Sequence, residues 1–143
     1  MKKHILFLCT GNSCRSQMAE GLSRHHLGDR YLFYSAGVEA HGMNQRAVAV
    51  MKEVGIDIRE QWSKRLDELS DCDFNLVVTV CGDARDRCPS FIQDSHHYHK
   101  GFRDPAKAVG SDDEILTLFR EVRDEINEFV QNELEDIIGS VSS

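Results

Sequence analysis

Between Cys9 and Ser16 the chain reads Cys-Thr-Gly-Asn-Ser-Cys-Arg-Ser. The apolar run Ile5-Leu6-Phe7-Leu8 precedes it, and Gln17-Met18-Ala19-Glu20-Gly21-Leu22 follows with the pattern of a helix. A cysteine is therefore expected where a strand ends, and an arginine where a helix begins. The unpaired N–H groups of such a turn, from Thr10, Gly11, Asn12, Ser13, Cys14, Arg15 and Ser16, point inward, and the helix dipole adds partial positive charge. That arrangement cradles an oxyanion. Gly11 and Asn12 tolerate the backbone angles that the turn demands. The same field favours thiolate over thiol at Cys9, and Ser16 can donate a hydrogen bond to its sulfur. Arg15 can hold a tetrahedral oxyanion with two parallel donors. Cysteine is also a common core filler, and a Cys…Arg spacing arises by chance; the strand–loop–helix setting is what favours chemistry.

A second group is Cys81-Gly82-Asp83-Ala84-Arg85-Asp86-Arg87-Cys88-Pro89. The residues between its cysteines are mostly polar, so the segment is expected to be exposed. It reads either as a redox pair, with Cys81 reaching Cys9 first, or as two unrelated cysteines on a surface loop. A continuous helix would set its ends about 10 Å apart at ~1.5 Å per residue. A disulfide needs Cα atoms within roughly 4.4–6.8 Å. A Cys81–Cys88 bond therefore requires the segment to unwind, and a mobile segment with different reduced and oxidised shapes is expected. Asp104-Pro105 is the third piece. An aspartate at the rim of an oxyanion site can be a general acid or base, and Asp before Pro is equally a common turn.

These residues must be positioned by regular elements. Residues 4–8 and 75–80 read as buried strands, 32–35 and 96–100 as two more. Helices are expected from the loop to about His26 with a stop at Gly28, over 44–54 with a stop at Gly55, and briefly over 63–69. In the helix over 44–54, Ala47, Val48, Met51 and Val54 face inward. Ser111-Asp112-Asp113-Glu114 is a capping box opening a long helix with Ile115, Leu118, Val122, Ile126, Phe129, Leu134 and Ile137 on one stripe. Strands alternating with helices imply an α/β three-layer sandwich: a central parallel sheet of about four strands with helices on both faces. Ligands bind beyond the carboxyl ends of such strands. Cys9, Cys81 and Asp104 each follow a strand and should gather at one edge.

Composition narrows the partners. The 143 residues suit one domain, and 41% hydrophobic with 29% charged residues describes an ordinary soluble globule. The net charge of -7 argues against a nucleic-acid partner, so the anion site must be local. No run is long enough to span a membrane, and the run after Met1-Lys2-Lys3 is too short for a leader. A cytoplasmic monomer is expected, with no metal and no cofactor, and with a frayed tail over 139–143. The five cysteines, an odd number without a Cys-x-x-Cys pair, speak for thiol chemistry rather than a disulfide framework or structural zinc.

Cys9 through Glu20 resemble the phosphate loop of the low-molecular-weight protein tyrosine phosphatase fold. With Val80 through Ala84, Cys88-Pro89 and Gly101-Phe102-Arg103-Asp104-Pro105-Ala106, the chain resembles the thioredoxin-coupled arsenate reductases built on that fold, from Met1 to about Val130. The resemblance implies that Cys9 attacks arsenate held by the loop and Arg15, with Asp104 assisting. It further implies that Cys81 attacks Cys9, that Cys88 then attacks Cys81, and that thioredoxin reduces the Cys81–Cys88 disulfide. Cys14 reads as structural, and Cys72 has no assigned role. Some members of the family bind potassium through residues matching Asn12, Glu20, Ser35 and Ser63 plus an aspartate; here that last position is Arg65, which speaks against the ion, with Asp67 as a substitute ligand or the Arg65 side chain in the ion's place as the alternatives.

Two rivals remain. A phosphatase acting on tyrosine phosphate or a small phosphomonoester would share Cys9, Arg15 and Asp104. Such enzymes usually carry an aromatic residue after Asp-Pro, where this chain has Ala106. A non-catalytic metal or arsenite binder would use His96, His97 and His99, but on a strand His96 faces away from the other two.

Overall fold

The computed structural model describes residues 2–87 and 95–141. Four strands, β1 (His4–Cys9), β2 (Leu32–Gly37), β3 (Leu76–Thr79) and β4 (His96–His99), form one sheet in the order β2-β1-β3-β4. Every pairing is parallel, with Leu8 opposite Ala36 on one side and Thr79 on the other. β1 lies inside the sheet, and Ile5, Leu6, Phe7 and Leu8 have no solvent exposure. A strand covered on both faces loses its polar alternation, which is why this one reads as a continuous apolar run. The chain leaves β1 for β2 on one side and later places β3 on the other. The loop after β1 therefore lies where the winding direction reverses, the place at which open α/β sheets bind ligands.

Five helices accompany the sheet: α1 (Arg15–Leu27), α2 (Gln45–Glu53), α3 (Gly82–Asp86), α4 (Asp112–Phe129) and α5 (Glu135–Gly139). Asn44 caps α2 by accepting from the Arg46 and Ala47 amides, and Gly55 turns the chain out at φ 81°. Its buried residues are Ala47, Val50 and Met51. Val54, expected inward, is exposed, because the helix ends one residue before it. The segment over 63–69 is helical only at Leu66–Leu69, as a single 3₁₀ turn. The Ser111 capping box is present as read, its hydroxyl accepting from Glu114 N–H and the Glu114 carboxylate accepting from Ser111.

The long C-terminal stripe is interrupted. A π turn, Val130–Leu134, separates α4 from α5. Its wider winding shifts the inward face by one residue, so Ile138 is buried where Ile137 was expected. Phe119 joins the core as well, packed with Val122 and Ile126. The tail is anchored as far as Val141: Lys3 Nζ donates to the Ile138 and Val141 carbonyls at 3.0 and 2.8 Å. Among the described residues no helix is long and apolar enough to cross a membrane.

Candidate active site

The loop over 10–14 and the start of α1 form a cradle at the carboxyl edge of the sheet. Cys14, the residue capping α1, makes no side-chain cap bond, so its side chain does not compete with an anion for the first amides of the helix. Asn12 holds the left-handed turn at φ 49°. Gly11 does not adopt that conformation, and its need is steric: a Cβ there would lie 2.3 Å from the His41 imidazole. The chain after β2 runs alongside and braces the loop, since Val38, Glu39 and His41 donate backbone bonds to the carbonyls of Cys9, Thr10 and Gly11. Ser63 Oγ donates to the same Gly11 carbonyl at 3.0 Å.

Asn12 is the hub of a buried polar chain. Its Oδ1 accepts from Gln17 Nε2 and from the Lys64 amide, both at 2.9 Å. Its Nδ2 donates to Ser16 Oγ at 2.9 Å and to Ser35 Oγ at 3.0 Å. Ser35 in turn donates to Glu20 at 2.5 Å, and Arg24 pairs with the other Glu20 oxygen at 2.7 Å. Because Ser16 Oγ already accepts from Asn12, its own hydrogen is free to point at Cys9 Sγ, 2.8 Å away. Asn12 N–H donates to the same sulfur at 3.2 Å.

The thiol at Cys9 differs from expectation. It is 3% exposed, and burial pushes its pKa above the ordinary value. Against burial act the Ser16 hydroxyl, the Asn12 and Ser16 amides and the Arg15 charge, in that order. Burial outweighs them, because a thiolate there gives up its hydration. Burial, then the Asp104 charge, also pushes Cys14 up.

Arg15 stands over the cradle, donating to the Phe102 carbonyl at 3.1 Å and lying 3.4 Å from Asp104. Asp104 also accepts from Ala106 N–H at 3.0 Å, capping the turn Pro105–Lys107. It is thus both turn-former and rim carboxylate, so neither sequence reading excludes the other. Cys81 follows β3 on the strand next to β1. Its sulfur lies 3.3 Å from Thr10 Oγ1, the neighbour of Cys9. Gly82, Asp83, Arg85, Asp86 and Arg87 are exposed as expected, but Cys81 is 6% exposed and Ala84 fully buried. The sulfur caps α3 by accepting from Ala84 N–H, which draws both residues under the cradle's edge. Thr10 Oγ1 donates to Asp83 at 2.8 Å, and Arg87 bridges Asp83 and Glu39 at 3.1 and 3.2 Å. His41, which shares Glu39, lines the pocket. Cys88 and Pro89 lie outside the described residues.

Arg65 does not fill the space beside Glu20. It is exposed and paired with Asp67 at 3.3 Å. The adjacent cation, Lys64, is the buried one of the two at 4% exposed, and its Nζ donates to the Trp62 carbonyl at 3.0 Å. Burial lowers its pKa and the Glu20 charge opposes that shift. Among the described residues no group of three His, Cys, Asp or Glu side chains is placed to hold a metal, the histidines of β4 included. Sequence reasoning missed Lys64, Gln17, His41 and Lys107. Gln17 bonds Asn12 from within α1, Lys64 arrives from the segment after α2, and His41 and Lys107 arrive from the loops after β2 and β4.

A family model for low molecular weight phosphotyrosine protein phosphatase matches residues 4–141. An arsenate reductase of Halalkalibacterium halodurans is 55% identical over 130 residues, covering 91% of this chain and 94% of that one. A solved arsenate reductase in the phosphate binding state superposes with a TM-score of 0.79 at 31% identity, over 98% of this chain and 99% of the other. A Corynebacterium glutamicum thioredoxin-dependent arsenate reductase shares the fold at TM-score 0.70 and 24% identity, over 97% of this chain and 63% of that one.

Proposed function

The chain belongs to the low molecular weight phosphotyrosine protein phosphatase family, and we propose that within it the protein reduces arsenate to arsenite by a three-thiol relay recycled by thioredoxin. The supporting observation is the second sulfur. Cys81 sits buried at the same sheet edge as Cys9, its Sγ 3.3 Å from the Thr10 hydroxyl. Ester hydrolysis needs no thiol there. The pocket wall agrees, since among the described residues its lining, from Cys9 to Lys107, holds no Phe, Tyr or Trp to flank a phenyl ester. The similarity to arsenate reductases supports the substrate, and thioredoxin is the dithiol that the relay's end product calls for.

The steps follow from thiolate chemistry. Cys9 thiolate attacks the arsenic of arsenate while the loop amides and Arg15 hold its oxygens, and Asp104 gives a proton to the departing oxygen. Cys81 thiolate then attacks Cys9 Sγ. A Cys9–Cys81 disulfide forms, the S–As bond breaks, and its electron pair stays on arsenic, which leaves as arsenite. Cys88 thiolate attacks Cys81 Sγ and frees Cys9. The Cys81–Cys88 disulfide is reduced by thioredoxin, whose two thiols become a disulfide. α3 must open for that exchange, since its first turn is capped by the very sulfur being oxidised.

The test is Cys81→Ser. Arsenate-dependent NADPH oxidation with thioredoxin and thioredoxin reductase should vanish, while any slow hydrolysis of p-nitrophenyl phosphate by Cys9 should persist. Full arsenate turnover in the variant, or none in the unmodified protein, would return the chain to ester cleavage.

A further inference from the structure

The cradle opens into a cavity of about 230 Å³. Three basic side chains line it: Arg15, His41 and Lys107. Two are already engaged. Arg15 is held by Phe102 and Asp104, and His41 by Glu39 at 2.8 Å. The Lys107 side chain has no hydrogen-bond or ion-pair partner among the described residues. Its backbone is nevertheless fixed. It closes the turn Pro105–Lys107, with its N–H donating to the Asp104 carbonyl at 3.3 Å and Pro105 buried beneath. The turn that carries the rim carboxylate thus also carries an unengaged ammonium to the mouth.

Its sign matters because the chain as a whole carries -7. The mean field opposes a dianion, and the loop amides act only at contact. We propose that Lys107 is a specificity-determining residue that draws a free tetrahedral dianion, arsenate or phosphate, into the cradle and remains beside it when bound. The proposal deepens the reductase reading and takes its substrate from it. Lys107 lines the cavity, and the reacting sulfur has its own partners in Ser16 and Asn12. The charge it meets is present in ground and transition state alike, so it acts on KM and not on kcat.

Two readouts separate this proposal from that reading. One is KM for arsenate in the thioredoxin-coupled assay. The other needs no turnover: the concentration of inorganic phosphate that half-protects Cys9 from iodoacetamide. Lys107→Ala should raise both on the order of 5-fold, the magnitude Coulomb's law gives for any unit cation and dianion at ~8 Å in water. Lys107→Arg should restore both. In about 1 M salt, where the screening length is near 3 Å, the difference should disappear. An unchanged half-protection concentration in Lys107→Ala, or an effect of equal size at high salt, overturns the proposal. Weakened phosphate protection in a protein that turns over no arsenate would sink the reductase reading and leave Lys107 as an anion-capturing residue.

Discussion

Replacing Ser16 by alanine should raise the pH at which Cys9 becomes nucleophilic. Ser16 is fully buried, its oxygen accepts from Asn12 Nδ2, and its hydrogen is left to the sulfur 2.8 Å away. A hydrogen bond to a charged acceptor contributes about 1.5–3 kcal/mol. At ~1.36 kcal/mol per pKa unit, its loss moves the thiol up by about 1–2 units. The sign follows because the bond favours the charged form, and burial, which already raises the pKa, is left less opposed. Iodoacetamide reacts with thiolate, so Cys9 labelling at neutral pH should slow about 10–100-fold. At high pH, past both midpoints, the two proteins should label alike. Peptide mass spectrometry follows Cys9 directly, and Cys81 in the same digest is the internal reference. An unmoved midpoint would mean that the thiol donates to Ser16 and not the reverse, and the ordered chain from Arg24 to the sulfur would have no chemical role.

Two further outcomes test the surroundings of the cradle. Because burial holds the Cys14 thiol neutral in the fold, the unfolded chain alone loses its proton above the ordinary value of 9.0, and stability falls as pH rises beyond it. The unfolding free energy from urea titration should decline from about pH 9 by up to ~1.4 kcal/mol per pH unit for that group, and Cys14→Ala should flatten the decline; an equal slope in both proteins refutes the assignment. Lys64→Met removes the buried ammonium near Glu20 and should cost about 1–3 kcal/mol by urea unfolding, while turnover of the unmodified protein should be the same in sodium and potassium salts of equal strength. A several-fold stimulation by potassium would show that Lys64 does not supply the charge.

Local signals in the sequence were reliable where the structure answers to local forces. The Ser111 box, the apolar run of β1 and the Cys9–Ser16 loop depend on neighbours within a few residues. So does Asn12, whose tolerance of left-handed backbone is its own. Gly11 was read for the same reason, but the His41 ring decides it, and that ring arrives from the loop after β2. Cys81 and Ala84 look like surface residues among charges, yet capping α3 tucks them under the cradle. Lys64 stands next to Arg65, and composition cannot choose which of two adjacent cations turns inward. Ile138 in place of Ile137 follows from one extra residue in a π turn, a change of winding that a fixed helical period does not anticipate.

One carboxylate, Glu39, is shared between two masters. It receives His41 from the pocket wall and Arg87 from the end of α3, which is tied through Asp83 to Thr10. A loop thereby joins the place where an anion settles to the helix around Cys81. Should an anion in the pocket move His41, linkage requires that opening α3 change the affinity for that anion by the same free energy.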